Sequence, residues 1–123
     1  MRNAVIVSSL GATTYVVFAR PDSVTAKPRN VIGGHLVGAI LGSLFSLIPT
    51  SSFLASISVY SIAIGISIFI MVVFDFEHPP AIGTTLGIII NGFSYNLAVT
   101  VVASAIMLSL AHFFLKPCIK DLT

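Results

Sequence analysis

The longest uninterrupted apolar stretch of the sequence covers residues 53–74 and contains no charged side chain. A helix of that length rises roughly 30 Å, which matches the hydrocarbon thickness of a bilayer. The whole chain has the same character, because 56% of its 123 residues are hydrophobic and only 8% are charged. A soluble domain carries roughly a quarter charged residues and could not cover its surface with so few polar groups. The sequence therefore predicts an integral membrane protein.

Four further apolar segments predict an all-α, polytopic transmembrane domain with four to five spans. Lipid cannot satisfy exposed backbone polar groups, so helices are the expected elements. The connections are short, and we expect a single domain over residues 1–123. The first segment has no cleavage site followed by a soluble chain, so it is expected to be a retained helix or the remainder of a longer N-terminal region. These four segments are residues 3–19, 31–48, 80–92 and 94–115.

Residues 75–85, DFEHPPAIGTT, interrupt the apolar pattern; we call residues 75–81 the break. Pro79 and Pro80 disfavour continuation of the preceding helix, and Pro80 can open a new one. From Pro80 to Gly92 a helix rises only about 20 Å, which is short of the hydrocarbon thickness. We expect a short or interrupted helix after the His-Pro-Pro motif that is re-entrant, tilted into the protein or joined to the next segment.

The basic residues lie at segment ends, three of them, Arg20, Lys27 and Arg29, in the first connection. The positive-inside tendency predicts that this connection is cytoplasmic. Five spans with the N-terminus outside put five of the six Lys and Arg residues inside, whereas a re-entrant fourth segment would move the C-terminus outside. The net charge of +2 forms no continuous basic stripe, so nucleic acid is not an expected partner.

Gly34, Gly38 and Gly42 recur at four-residue spacing in the second segment. This pattern predicts a helix face that a neighbouring helix approaches closely, because packing drives helix association in lipid. We expect these glycines to serve packing, and we expect surfaces of this kind to support a homo-oligomer. Asn30 is the expected N-cap of this helix.

The helix start after the break is the candidate substrate site. Free backbone amides and the helix dipole attract a small anion to an N-terminus. His78 adds a donor whose charge can change near neutral pH, and Arg29 adds an attracting charge. His35 either reaches the layer of His78 or is an interfacial histidine bonded to a carbonyl. The candidate substrate-binding residues are His78, Pro80, Ala81, Gly83, Thr84, Thr85, Arg29 and His35.

Asp75 and Glu77 are candidate supporting residues. Ionised, they would repel an anion, so we expect them to orient His78, to pair with a cation of the first connection, or to relay a proton. The alternative is that the break is only a wetted interfacial loop. No helix carries a metal-binding histidine pair and Cys118 is the single cysteine, so no enzyme, metal or cofactor is expected.

Residues 10–19, LGATTYVVFA, echo residues 81–90, AIGTTLGIII. Each combines a small residue, a Thr-Thr pair and an apolar continuation. The echo is either a chance match in a biased composition or the trace of a duplication. Interrupted segments at corresponding positions of two halves point to the binding site of a transporter.

Residues 20–35, RPDSVTAKPRNVIGGH, and residues 78–85, HPPAIGTT, resemble the HPP family of integral membrane proteins over nearly the whole chain. The resemblance implies a small helical membrane domain, and plastid and cyanobacterial members are regarded as nitrite transporters. Many members have more sequence before this chain begins, and some carry CBS domains after it. The matching positions are His78, Pro79 and Pro80 for the motif, and Pro21, Asp22, Ser23, Pro28, Arg29, Asn30, Gly33, Gly34 and His35 for the first connection.

Taken together, these features predict a transporter or channel-like protein for a small inorganic anion, with nitrite suggested by the resemblance. The expected location is a prokaryotic plasma membrane, and the expected partners are membrane lipid, the anion and further copies of the chain. Two alternatives remain open: a non-transporting membrane interaction or scaffold protein, and a metal-dependent membrane enzyme using Asp75, Glu77 and His78.

Overall fold

The structure, a computed structural model, describes residues 3–121. Within these residues the chain forms five α-helices and three single 3-10 turns, and it contains no strand. The expected all-α architecture, with a short helix after the His-Pro-Pro motif, is therefore confirmed. The helices are α1 (Ala4–Ala19), α2 (Pro28–Phe45), α3 (Phe53–Val73), α4 (Ile82–Asn91) and α5 (Tyr95–Leu115), and the turns are Val24–Ala26, Pro79–Ala81 and Lys116–Cys118.

Two helical stretches, Phe53–Val73 and Tyr95–Cys118, are long and apolar enough to cross a membrane, and α1 is a shorter apolar helix. The apolar side chains of α3 remain largely exposed, and its buried residues are Ala63, Ser67 and Met71. An exposed apolar surface of this kind is stable in contact with lipid. The helix that follows the break, α4, has ten residues and rises only about 15 Å.

Helix α2 begins at Pro28, three residues before the predicted start. Proline suits the first helical position because its φ is already helical and its missing N–H needs no partner. The prediction that Asn30 is the N-cap is wrong, because Asn30 lies in the first turn and is buried. Its Nδ2 donates to the carbonyl oxygen of Glu77 at 3.0 Å, so Asn30 fastens the break to α2.

The glycine face of α2 packs against α4 and the break, which confirms the predicted close approach. A Cβ on Gly38 would lie 2.7 Å from the carbonyl oxygen of Ala81. A Cβ on Gly42 would lie 2.8 Å from the carbonyl oxygen of Thr85. Because these contacts come from within the chain, the glycine face is filled by α4 and is not available to a second copy.

The break begins with a left-handed turn at Asp75, which has a φ of 60°. The amide of Phe76 donates to the carbonyl of Met71 at 2.8 Å, and the amide of Asp75 donates to that of Val72 at 3.2 Å. This pair of bonds is a Schellman cap, which most often uses glycine but tolerates aspartate. The cap turns the chain back, and Phe76 packs on Gly33, where a Cβ would lie 2.8 Å from the ring.

The first connection, the break and the C-terminal segment meet at one end of the bundle. The ring of His112 in α5 donates from Nε2 to the carbonyl oxygen of Pro21 at 2.8 Å. The amide of Asp22 donates to Oδ1 of Asp121 at 3.0 Å, and Nζ of Lys116 lies 3.9 Å from Oδ1 of Asp22. This common end is the arrangement expected of five crossings. Its cytoplasmic orientation stays a prediction.

Candidate functional site

Two histidines from distant parts of the chain meet in the interior. His35 lies about two turns into α2, and His78 lies in the break; both side chains are fully buried. Their ring centroids are 5.2 Å apart. Gly34 permits this contact, because a Cβ there would lie 2.7 Å from the Cβ of His78. Of the two alternatives for His35, the structure shows the one in which His35 reaches the layer of His78.

The hydroxyl of Thr13 in α1 lies between the two rings. Its Oγ1 is 2.9 Å from Nε2 of His35 and 2.9 Å from Nε2 of His78, and 3.0 Å from the carbonyl oxygen of Ser9. The other ring nitrogen of His35, Nδ1, is 2.8 Å from Oγ1 of Thr84. His35 is therefore bonded to two hydroxyls, and the alternative that it binds a carbonyl at the interface is wrong.

Thr13 was missing from the residues predicted from sequence. The signal that could have found it is the internal echo, which aligns Thr13 with Thr84. These two threonines occupy corresponding positions of the two echoed segments, and each contacts one ring nitrogen of His35. Whether the echo arose by chance or by duplication stays open.

Ser9 and Gly83 bring α1 against the start of α4. Ser9 Oγ donates to the carbonyl oxygen of Pro80 at 2.6 Å and lies 3.2 Å from Oγ1 of Thr84. A Cβ on Gly83 would lie 2.7 Å from that of Ser9, so glycine is needed for this approach. Thr85 points to α3 instead, where its hydroxyl lies 3.0 Å from that of Ser67.

Of the amides predicted to be free at the helix start, those of Ala81 and Ile82 are paired, so the prediction is wrong for these two. The amide of Ala81 donates to the carbonyl of His78 at 2.9 Å, and that of Ile82 donates to the carbonyls of Pro79 and Pro80. A 3-10 turn pairs each amide with the carbonyl three residues back, so the turn Pro79–Ala81 uses donors that an abrupt α-helix start would leave free. An anion cannot be held there by these two amides.

The charged candidates form an exposed outer layer. Arg29 Nη1 lies 3.9 Å from Asp75 Oδ2, Nη2 donates to the carbonyl of Phe74 at 3.2 Å, and the guanidinium lies 5.1 Å from the Phe76 ring centroid. Of the roles considered for the two acids, pairing with a cation is observed for Asp75. Both partners are more than half exposed, so the pair contributes little stability.

His78 is oriented by a backbone carbonyl and not by an acid. Its Nδ1 lies 2.8 Å from the carbonyl oxygen of Thr25, which can only accept, so Nδ1 carries a hydrogen. The side chain of Glu77, the preceding residue in the chain, is exposed. Burial lowers the pKa of His78, and the hydrogen bond to Thr25 opposes that shift.

Comparison with known proteins identifies the family of the chain. The family profile described as HPP, transmembrane region, matches residues 1–119. The chain belongs to the HPP family. It is 34% identical over 85 residues to a transmembrane protein of Dictyostelium discoideum. The aligned region covers 67% of this chain and 29% of that relative. The chain thus spans less than a third of that relative's length. No solved structure matches.

Membership of this family establishes the chain as an integral membrane protein, and the buried His78, with Pro79 and Pro80, forms its name-giving motif. Among residues 3–121 of this HPP domain, no three histidine, cysteine or acidic side chains are grouped closely enough to hold a metal ion. The three residues of the metal-dependent alternative do not share one site, because Asp75 and Glu77 are exposed and His78 is buried.

Two cavities flank the interior of the HPP domain. A cavity of about 150 Å³ lies beside His78 and is also lined by Glu77 and Met71. A second, of about 400 Å³, lies where α4 ends and is lined by Asn3, Asn91, Gly92, Ser94, Asn96, Leu97 and Thr100. The buried side chains of Ile6 and Ile88 pack together along α1 and α4 between the asparagine level and the histidine level.

Proposed function

We propose that this HPP domain carries a small inorganic anion across a membrane, by a transporter or channel-like mechanism. Nitrite is the proposed substrate, because resemblance to plastid and cyanobacterial members implies it, and a prokaryotic plasma membrane is the proposed location. One observation carries the proposal: four polar side chains, His35, His78, Thr13 and Thr84, are fully buried together in a membrane domain. Buried polar groups are costly in this environment and usually mark substrate or proton pathways.

The chemistry of this cluster suits an anion better than a cation. Its described members offer imidazole and hydroxyl groups, which can donate hydrogen bonds, and include no carboxylate. Asp75 and Glu77 are exposed outside the cluster, and Arg29 at the same end can attract anions from solution. At the other end, the amide groups of the asparagine-lined cavity supply further donors.

Passage between the two ends requires the apolar contact of Ile6 with Ile88 to open, because an anion cannot cross a dry apolar layer cheaply. The proposal therefore requires α4 to move relative to α1, since α4 carries both Ile88 and the cluster residue Thr84. This makes an alternating opening of the two sides the proposed mode of transport.

The test is anion flux in liposomes that contain the purified protein. We expect nitrite uptake above that of protein-free vesicles, and at least a tenfold reduction of it in His78→Gln, which removes a ring from the cluster. His112→Gln is the matched control, because His112 is also a buried histidine bonded to a carbonyl but lies near the end of α5. Nitrate and chloride uptake, measured in parallel, report selectivity.

The competing proposal is a non-transporting membrane interaction protein. It is favoured by the exposed charged side chains of Lys27, Arg29 and Glu77 at one end of the bundle, which a partner can contact. Folded protein that moves none of the three anions would contradict transport and leave this alternative. Equal loss of uptake in the His78 and His112 variants would remove the cluster from the mechanism.

A further inference from the structure

The hydrogen atoms of the cluster can be counted from its contacts. His78 has its Nδ1 hydrogen on the Thr25 carbonyl, so in the neutral ring Nε2 is an acceptor. Nε2 of His78 can accept the single hydroxyl hydrogen of Thr13, whose oxygen lies 2.9 Å away. The oxygen of Thr13 then accepts from Nε2–H of His35, whose Nδ1 accepts from Thr84. With the Thr13 hydrogen turned to His78 and not to the carbonyl of Ser9, 3.0 Å away, the contacts form one directed chain from Thr84 to the Thr25 carbonyl.

The same heavy atoms accommodate one added proton. When His78 carries hydrogen on both nitrogens, Nε2–H donates to the oxygen of Thr13. The Thr13 hydrogen can then take either of two positions. In the first it points to Nε2 of His35, and His35 donates from Nδ1 to Thr84. In the second it points to the carbonyl oxygen of Ser9, 3.0 Å from the Thr13 oxygen. Only hydrogens change place.

In the first of these arrangements a proton can cross from one ring to the other. The Nε2–H bond of His78 breaks as its hydrogen bonds to the Thr13 oxygen, while the Thr13 O–H bond breaks as its hydrogen bonds to Nε2 of His35. Two bonds break, two form, and no electron leaves either ring. The overall result is one proton moved from the break into α2, with Thr13 restored.

The charged groups around the rings do not compete for this proton. On the first connection, α2 and the break, which pack against the cluster, the charged side chains are all exposed: Arg20, Asp22, Lys27, Arg29, Asp75 and Glu77. Arg29 and Asp75 lie beside each other. The described hydrogen bonds of the two rings go only to Thr13, Thr84 and Thr25. An added proton is therefore shared by the imidazoles and the hydroxyl between them.

We propose that Thr13 relays a proton between His78 and His35, and that this proton travels with the anion. The inference rests on the proposed transport function. Charge balance supports it: among the described residues of the cluster there is no lysine or arginine, so a protonated imidazole is the cation that offsets a buried anion. Anion and proton together cross the membrane without moving net charge.

The experiment follows vesicle pH with an enclosed dye during inward nitrite flux, after subtraction of the leak of nitrous acid through protein-free vesicles. Thr13→Val keeps the side-chain shape but removes the hydroxyl, and we expect proton entry to fall at least tenfold. Thr13→Ser restores the hydroxyl and should restore most of the rate. Thr14→Val is the matched control, because Thr14 is the next residue, is exposed, and bonds only to the Leu10 carbonyl at 2.8 Å.

Nitrogen NMR of the labelled histidines in wild-type protein gives a second test that needs no transport. We expect the Nε2 signals of His35 and His78 to move together as pH is lowered, with assignments from His35→Gln and His112→Gln. Movement of His78 alone overturns the relay. So does nitrite uptake without proton entry, or a Thr13→Val variant with wild-type proton entry. Absence of any anion flux contradicts the proposed function, and NMR then decides whether the relay exists.

Discussion

At the scale of single residues, His78 shows how a buried polar group is satisfied in a membrane domain. Both of its ring nitrogens have partners, the Thr25 carbonyl on one side and the Thr13 hydroxyl on the other. A buried imidazole is tolerated when it is neutral and fully hydrogen-bonded. The same burial lowers the pKa of His78, because removal from water penalises the charged ring.

This lowered pKa predicts a pH dependence of stability. His78 in the unfolded chain titrates near its ordinary value of 6.5 and takes up a proton below that pH, while the folded ring resists it. Its stabilising contribution is therefore complete above about pH 6.5 and is lost as the pH falls from there toward the lower folded-state pKa. Thermal unfolding in detergent between pH 8 and pH 5 should show a falling midpoint.

The His78→Gln variant serves as the comparison for that measurement, since glutamine is neutral throughout the range. We expect its midpoint to vary less with pH than the wild-type midpoint below pH 6.5. An identical pH profile for the two proteins would show that another group is responsible.

At the scale of elements, α2 organises the domain because its glycine face accepts two different neighbours. The break packs on Gly33 and Gly34, and α4 packs on Gly38 and Gly42. In lipid, helix association depends on close packing and hydrogen bonds, so backbone contact through glycine replaces the hydrophobic force of a soluble core. The Schellman cap at Asp75 directs the break onto this face.

Gly38→Ala should destabilise the fold, because the new Cβ would lie 2.7 Å from the backbone oxygen of Ala81, which cannot turn aside as a side chain can. We expect a loss of about 1–3 kcal/mol, typical of overpacking. Gly11→Ala is the matched control, since Gly11 lies within α1 and a Cβ there meets nothing within 4 Å. That change should be neutral or stabilise by up to about 1 kcal/mol. Equal effects in denaturant titrations in detergent would contradict this account of the packing.

At the scale of the whole molecule, α3 is the long helix with the fewest buried residues, and most of its large apolar side chains are exposed. The homo-oligomer expected from the sequence therefore needs another face than the glycines of α2. We propose that a second copy packs on α3 around Gly65, which is exposed and has open space at its Cβ position. Small residues allow helices from two copies to approach closely.

Gly65→Leu should shift the protein toward the monomer without unfolding it, because leucine fills the space that the second copy needs. Light scattering after size-exclusion chromatography in mild detergent measures the mass, with the detergent contribution subtracted. Gly11→Leu introduces the same side chain at another open glycine and should leave the mass unchanged. A wild-type protein of monomer mass at all concentrations contradicts the oligomer, and an oligomeric Gly65→Leu variant contradicts this face.

The class of protein, its helices and the packing face of α2 could be predicted from the sequence alone. Four of the five predicted segments agree with the observed helices to within about two residues, and α2 differs by three at each end. The reason is physical: a bilayer requires long uncharged helices, and Pro79 and Pro80 mark a boundary wherever they stand. The four-residue spacing of the glycines in α2 likewise predicts a close-packing face from the local sequence alone.

Which polar side chains meet depends on how the helices pack, and the sequence did not predict it. In the sequence, Thr13 is one of several hydroxyl residues in an apolar helix. In the fold, α2 and the break place the rings of His35 and His78 beside it, from positions 22 and 65 residues away. The 3-10 turn Pro79–Ala81 likewise uses amides that the sequence pattern leaves free. Hydrogen bonds between side chains depend on how helices pack, and no local pattern encodes that geometry. For this reason the predicted site moved from the start of α4 to the imidazoles and hydroxyls between α1, α2 and the break.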